Sequence, residues 1–134
     1  QTSLLSEKCS HLFVDEAHGP HLGFHPYFPL NSIQAGADIV IHSLHKTLPA
    51  FTQTGLIHVN STLVDYEKVK ESLSIYQSSS PSYLLMASID KCINLLIEEG
   101  DELFACFSKY LESFYEKSNQ LEHLKIITKK ELHQ

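Results

Sequence analysis

Two short polar clusters each follow an apolar run, and between them they hold an acid, an amine, imidazoles and a hydroxyl. Asp15, Glu16 and His18 come after Leu12-Phe13-Val14, and Ser43, His45 and Lys46 come after Ile39-Val40-Ile41-His42. Asp15 and Lys46 stand 31 residues apart, enough chain for one crossover between neighbouring parallel strands. In open α/β sheets ligands bind outside the carboxyl ends of the strands, so these two groups can face one ligand. A lysine attacks a carbonyl only as the neutral amine, although its ordinary pKa is near ~10.4. Desolvation or nearby positive charge lowers that value. A carboxylate facing the same ligand can keep a pyridine nitrogen protonated, so that the ring accepts electrons. An amine and an acid so placed are what pyridoxal 5'-phosphate requires of a protein. Ser43 and His45 are donors suited to a phosphate, and Ala17 is small enough to let a flat ring lie close.

The elements that must position these groups follow from the pattern. Residues 11–17 (HLFVDEA) have the profile of a strand buried on both faces that ends in polar residues. Residues 19–29 (GPHLGFHPYFP) form a loop, because proline removes amide donors and fixes φ. Residues 31–36 suit a short helix stopped by Gly36. Residues 37–42 (ADIVIH) make a second buried strand, rich in β-branched side chains, and residues 55–60 (GLIHVN) a third. Residues 63–73 suit a helix, and 77–82 (QSSSPS) a serine-rich break. Residues 83–99 place Leu85, Ile89, Cys92, Ile93 and Leu96 on one helical face, with Gly100 as a stop. Asp101 and Glu102 then open another helix with favourable N-terminal charge, whose buried stripe is Leu103, Phe104, Phe107, Leu111 and Phe114. Residues 124–128 suit one more strand. Strands with connections followed by helices indicate an α/β layer structure, here about half of a sheet.

Composition narrows the partners. The chain has 134 residues, with 10 Lys plus Arg against 16 Asp plus Glu and a net charge of −6, the wrong sign for general nucleic-acid binding. No apolar run approaches the ~18 residues that span a bilayer, and the first ten residues lack a secretory pattern. Three cysteines (Cys9, Cys92, Cys106) without paired spacing imply packing residues rather than a disulfide framework, hence a soluble protein of a reducing, cytoplasmic compartment.

Three blocks, VDEAHGPHLGFHP, GADIVIHSLHKTLPAFTQTG and SSSPSYLLMASID, resemble consecutive segments of the Orn/Lys/Arg decarboxylase family in order and spacing. The resemblance covers residues 11–95. It implies the fold of pyridoxal-phosphate enzymes of the aspartate-aminotransferase type, with residues 1–134 forming the C-terminal half of the large domain and 96–134 its helical continuation. It implies a basic amino acid (lysine, ornithine or arginine) as substrate, with the amine and carbon dioxide as products. Lys46 becomes the Schiff-base lysine, and Lys46 or His45 returns the proton. Asp15 pairs with the pyridine nitrogen, Ala17 packs on the ring, His18 approaches its phenolic oxygen, and Ser43 and His45 serve the phosphate and reacting face. The resemblance also implies a site at the interface of a homodimer or higher oligomer, with Ser79 or Ser80 reaching the neighbouring cofactor. The family's phosphate-holding helix start, its ring-stacking aromatic and its C-terminal domain have no counterpart here. A decarboxylase-derived fragment that opens on Gln1, inactive alone, is therefore the expectation.

Rival readings are set against this one. VDEAH also matches the metal-binding strand of DEAH-type helicases, but the phosphate loop G-x-x-x-x-G-K-[ST] that must accompany it is missing. His18, His21 and His25 have the spacing H-x2-H-x3-H, yet Gly19, Pro20, Gly23 and Pro26 prevent the helix that could gather them on one metal. The bland reading of His21 and His25 as exposed or hydrogen-bonded loop residues is preferred. The α-oxoamine synthases share D-E-A-H and a lysine at similar distance and would condense the amino acid onto a thioester instead. A truncated module that only associates with a partner chain is the non-enzymatic alternative.

Overall fold

A computed structural model describes residues 11–127. Its centre is β2, Ile39–His42, flanked by β1, Phe13–Asp15, and β3, Leu56–Val59, in the order β1-β2-β3. β1 runs parallel to β2, with Phe13 opposite Ile39, Val14 opposite Val40 and Asp15 opposite Ile41. β3 runs antiparallel, with His42 opposite Leu56 and Val40 opposite His58. The sheet is thus mixed, and its parallel pair is the pair of motif-bearing strands expected from the crossover spacing.

Burial differs from the two-faced expectation. Ala37, Ile39 and Val40 are buried, but Ile41 is 47 % exposed and Phe13 is 65 % exposed. A parallel strand is buried on both faces only where layers cover both. Here β1 is an edge strand, and the described helices do not close over its outer side.

The crossover from β1 to β2 is a loop without a helix. Residues 32–36 are turns rather than the expected helix; Gly36, at φ +91°, turns the chain into a left-handed conformation that ends any helical run. The aromatic residues of this loop pack inward. Phe28 lies against His21, Tyr27, Phe104 and Phe107, and Phe24 stacks on Phe104 at 5.3 Å.

After β2 the chain makes a single helical turn, α1, Leu44–Thr47. Leu44 is its buried anchor. The next helix, α2, spans Tyr66–Tyr76, three residues later than the apolar pattern suggests. Asp65 sets the start, because its Oδ1 accepts from the amides of Glu67 and Lys68, two of the donors a helix start leaves unpaired. The serine-rich break follows, and Ser82 caps α3.

The two C-terminal helices expected around Gly100 are one. α3 runs without interruption over Tyr83–Ser118, 36 residues, or about 54 Å. Gly100 keeps a negative φ and is buried inside it, so it offers no left-handed cap at which the helix could end. Of the expected stripe only Phe104 is buried; Leu103, Phe107 and Phe114 are about half exposed. The helix outruns the small sheet, so its distal half lacks a layer to cover it. The core cluster is Leu44, Leu48, Cys92 and Phe104, with Phe28, Ala50, Leu56, Ile89 and Leu96 packed around it. Cys92 therefore packs as expected, whereas Cys106 is exposed, because it sits on the uncovered side of α3. Cys9 lies outside the described residues. Residues 124–127 are irregular rather than strand, and residue 128 lies outside the described residues. Among the described residues, no helix is long and apolar enough to cross a membrane.

Candidate functional site

The end of β1 is tied down locally. The amide of Ala17 donates to Asp15 Oδ1 at 3.1 Å, a short turn that fixes the carboxylate just beyond the strand. The ladder to β2 continues past the strands themselves: Glu16 N–H donates to the Ile41 carbonyl at 3.0 Å, and Ser43 N–H to the Ala17 carbonyl at 3.3 Å. Ser43 then starts α1, and the Lys46 amide donates back to its carbonyl at 3.2 Å. The acid and the amine are thus carried on two strand ends held together by backbone hydrogen bonds.

They open on one cleft. A concavity of about 440 Å³ is lined by Asp15, Glu16, Ala17, His18, Gly19, Leu22 and Lys46. Asp15 and Lys46 are both exposed. Among the described residues neither forms an ion pair with the other or with any third group, so the space between them is not closed by a salt bridge. Ala17 and Gly19 keep the wall low. The structure therefore gathers four of the six expected site residues: Asp15, Ala17, His18 and Lys46.

Ser43 and His45 are not in that lining. Ser43 is half-buried at the start of α1, and its side chain makes no cap hydrogen bond. The His45 ring is turned to the other side of its helical turn, where Nδ1 donates to the Thr54 carbonyl at 2.9 Å. That bond commits the Nδ1 proton and leaves Nε2 as the basic nitrogen. Ser79 and Ser80 lie in the exposed break before α3 and line no part of the cleft.

A second polar cluster lies beside the cleft, and sequence reasoning missed it. Glu16 lines the cleft, yet its carboxylate is engaged elsewhere. It accepts from the Ser32 amide at 3.1 and 3.2 Å, from Ser32 Oγ at 2.8 Å and from His42 Nε2 at 2.8 Å. The other nitrogen of His42, Nδ1, lies 3.1 Å from His58 Nε2; with Nε2 committed to the carboxylate, Nδ1 accepts in the neutral pair. Burial works to raise the Glu16 pKa, but the hydrogen bonds from His42 and Ser32 outweigh it and hold the carboxyl below its ordinary value. Burial and the neighbouring His42 lower the pKa of His58, against a smaller pull from Glu16. The available signal was a histidine in each of two otherwise apolar strands, IVIH and LIHV, with an acid, Glu16, just past the end of a third.

The histidine triplet separates. His18 is on the cleft wall, while His21 and His25 pack edge-on against Phe28. His25 Nδ1 accepts from the Tyr27 amide at 3.2 Å, as expected of a hydrogen-bonded loop residue. His21 departs from that expectation: its Nδ1 is buried without a hydrogen-bond partner, because packing on Phe28 takes the ring out of water. Burial lowers its pKa, opposed by the Glu16 charge. No group of three or more metal-ligating side chains is assembled among the described residues. A larger concavity of about 550 Å³ along residues 118–126 contains none of the motif residues and lies away from the strand ends.

Comparison with known proteins finds relatives over most of the chain. Residues 2–133 match the model of the Orn/Lys/Arg decarboxylase major domain. The chain is 39 % identical over 111 residues to an arginine decarboxylase of Bacillus subtilis, covering 83 % of this chain and 23 % of that protein. It is 36 % identical over 113 residues to an arginine decarboxylase of Bacillus cereus, covering 84 % and 25 % respectively. Against the constitutive lysine decarboxylase of Escherichia coli the identity is 31 % over 91 residues, covering 63 % of this chain and 13 % of that protein. The chain spans about a quarter of the length of the Bacillus relatives it matches.

Proposed function

The chain belongs to the Orn/Lys/Arg decarboxylase family, and we propose that it supplies the part of a pyridoxal-phosphate-dependent decarboxylase that carries the cofactor's lysine and acid. Decarboxylases of this family are typically pyridoxal-phosphate-dependent. The observation that carries the reading is that Asp15 and Lys46 line one cleft without pairing with each other.

The residues present fit the ring and the amine-reactive end of that cofactor. The cleft lies within the roughly 300–1,000 Å³ range of small-molecule sites, and its wall at Ala17 and Gly19 is free of bulk. The fit does not extend to the phosphate, since Ser43 and His45 are outside the lining. When bound, the cofactor supplies an electron sink for the pair left behind as the substrate carboxylate departs as carbon dioxide.

The protein's own residues then have distinct tasks. Lys46 would provide the amine that holds the cofactor. Asp15 would hold its carboxylate toward the ring nitrogen, in an orientation that the Ala17 amide already fixes. Ala17 leaves room for the ring, and His18 is the imidazole on the same wall. Lys46 would be the group that returns a proton to the reacting carbon, with His45 as the alternative donor. The substrate in this reading is a basic amino acid. Arginine is the first to test, because the Bacillus relatives that match most of this chain bear that name.

Reduction with borohydride in the presence of the cofactor, followed by peptide mapping, tests the assignment. In the longer protein that carries these residues, the label is expected on the peptide containing Lys46. A label confined to a peptide without Lys46 overturns the assignment.

The fold has a part in the proposal too. We read residues 1–134 as the C-terminal half of a cofactor-binding large domain, with 11–95 bearing the motifs, in a cytoplasmic protein that works as a homodimer or higher oligomer. Phe13 on the sheet edge and Ile97, Phe107 and Phe114 on α3 are exposed apolar side chains, which suit burial against further polypeptide. The same observation supports a second reading, in which this chain associates with a partner without catalysing a reaction. Amine production by the isolated 134-residue chain would exclude the second reading, and co-purification with a complementary fragment without cofactor uptake would favour it.

A further inference from the structure

We propose that Glu16 is a positioning residue for the Asp15–Lys46 cleft, held by a chain of hydrogen bonds that crosses all three strands through His42 to His58. The proposal rests on the preceding reading for what the cleft binds, but the network itself stands on geometry alone.

Glu16 follows the last residue of β1, His42 is the last residue of β2, and His58 lies in β3. The two side-chain links between them, 2.8 Å from His42 Nε2 to Glu16 and 3.1 Å from His58 Nε2 to His42 Nδ1, join the strands across the sheet. The Ser32 amide and hydroxyl add a third attachment, to the crossover loop. A carboxylate so held accepts charge-assisted or reinforced bonds on both oxygens and has little rotational freedom left. Its neighbours in sequence are Asp15 and Ala17, so any displacement of Glu16 is passed directly to the acid and to the small residue of the cleft wall. The backbone bonds Glu16 to Ile41 and Ser43 to Ala17 connect the same point to the start of α1, which carries Lys46.

Gly19 shows how closely the site is built around this side chain. A Cβ at position 19 would collide with Glu16 Cγ. The glycine of D-E-A-H-G is therefore the residue that leaves room for the Glu16 side chain. The titratable groups that meet the network are His42 and His58 from the sheet and His21 from the crossover loop, whose ring senses the Glu16 charge. No lysine or arginine is paired to Glu16 among the described residues, so the histidines are its counter-groups.

The test uses the full cofactor-loaded protein that carries these residues, with Glu16→Gln, His42→Phe and the double variant. Cofactor affinity is read from the absorption of the bound cofactor, together with the pH at which that absorption changes. Glu16→Gln keeps the side-chain shape and an acceptor for Ser32 but removes the charge. It is expected to weaken cofactor binding about tenfold, the low end for partners that orient a ligating group, and to move the pH midpoint, while borohydride still labels Lys46. The double variant is expected to be no weaker than the worse single variant, since both break one chain. Unchanged affinity and midpoint in Glu16→Gln, or fully additive losses in the double variant, overturn the proposal. Should Glu16→Gln fail to fold, His58→Phe breaks the chain from its far end without touching the cleft and is expected to shift the same midpoint; no shift overturns the proposal. If the unaltered protein takes no cofactor, the reading of the cleft has failed independently. The network is then judged by NMR, where the ring signals of His42 and His58 must both move in Glu16→Gln. Rings that stay in place overturn it.

Discussion

Asp15 and Lys46 share one cleft beyond the ends of two parallel-paired strands, and among the described residues neither is neutralised by an ion pair. A surface acid and an amine that line one cleft can neutralise each other. Their separation here leaves both available to a third molecule, which is what a ligand carrying a basic ring nitrogen and an electrophilic carbon needs.

Replacement of either group separates their roles in the full protein. Lys46→Ala is expected to abolish the covalent label after borohydride treatment. Asp15→Asn is expected to retain the label at Lys46 but to slow amine formation about 100-fold or more, as for loss of one preorganised charge at a reacting group. Peptide mapping and amine assays check both. An Asp15→Asn protein of unchanged rate would remove the acid from the mechanism.

Stability is expected to fall on acidification in two stages. His21 and His58 have pKa values held below the ordinary 6.5, so the unfolded chain binds their protons first as pH drops through that value. Stability rises with pH wherever the unfolded state binds more protons, so these histidines contribute above about 6.5 and their contribution is lost below it. Glu16, lowered from 4.5, adds a second loss as pH falls from there toward its folded value. Thermal melts between roughly pH 8 and pH 4 check the sign; a melting temperature that rises across the first stage contradicts it.

Two glycines are expected to respond to alanine for different reasons. Gly36→Ala meets no atom but forces an L side chain onto φ +91°, at a cost of about 1–2 kcal/mol. Gly19→Ala has no such backbone penalty and instead drives the new methyl into Glu16. Denaturant titration is expected to show a loss for both. The cofactor's absorption is expected to change only for Gly19→Ala, because only that position bears on the cleft.

Along α3, burial predicts unequal costs. Phe104 is buried and lies 5.3 Å from Phe24 and 6.0 Å from Phe28, so Phe104→Ala is expected to cost about 3 kcal/mol or more. Phe114, 53 % exposed, is expected to cost less than about 1 kcal/mol in the same substitution. Chemical denaturation of the two variants checks the ordering. Equal losses would mean that the distal half of α3 is covered in solution.

Much of the site was legible from residue order. The acid, the small residue, the imidazole at position 18 and the lysine each come within a few residues of the end of an apolar run, and a strand end is where such a run delivers its next residues. Local pattern also located β2, β3 and the serine-rich break. It misplaced α2 by three residues, because the capping carboxylate of Asp65 outweighs the apolar periodicity around Leu63 and Val64. It divided α3 at Gly100, because a glycine after a helical stripe reads as a stop unless its φ is known.

The order and spacing of three sequence blocks, two of which carry Asp15, Ala17, His18 and Lys46, were sufficient to point to the family to which the chain belongs. Those properties depend on covalent order and on the short reach of a strand end. The turning away of His45 to the Thr54 carbonyl, the capture of Glu16 by His42 and Ser32, and the exposure of Phe13 were decided only in three dimensions. Each depends on which groups from distant parts of the chain arrive within hydrogen-bonding or packing distance, and a linear pattern carries no record of those meetings.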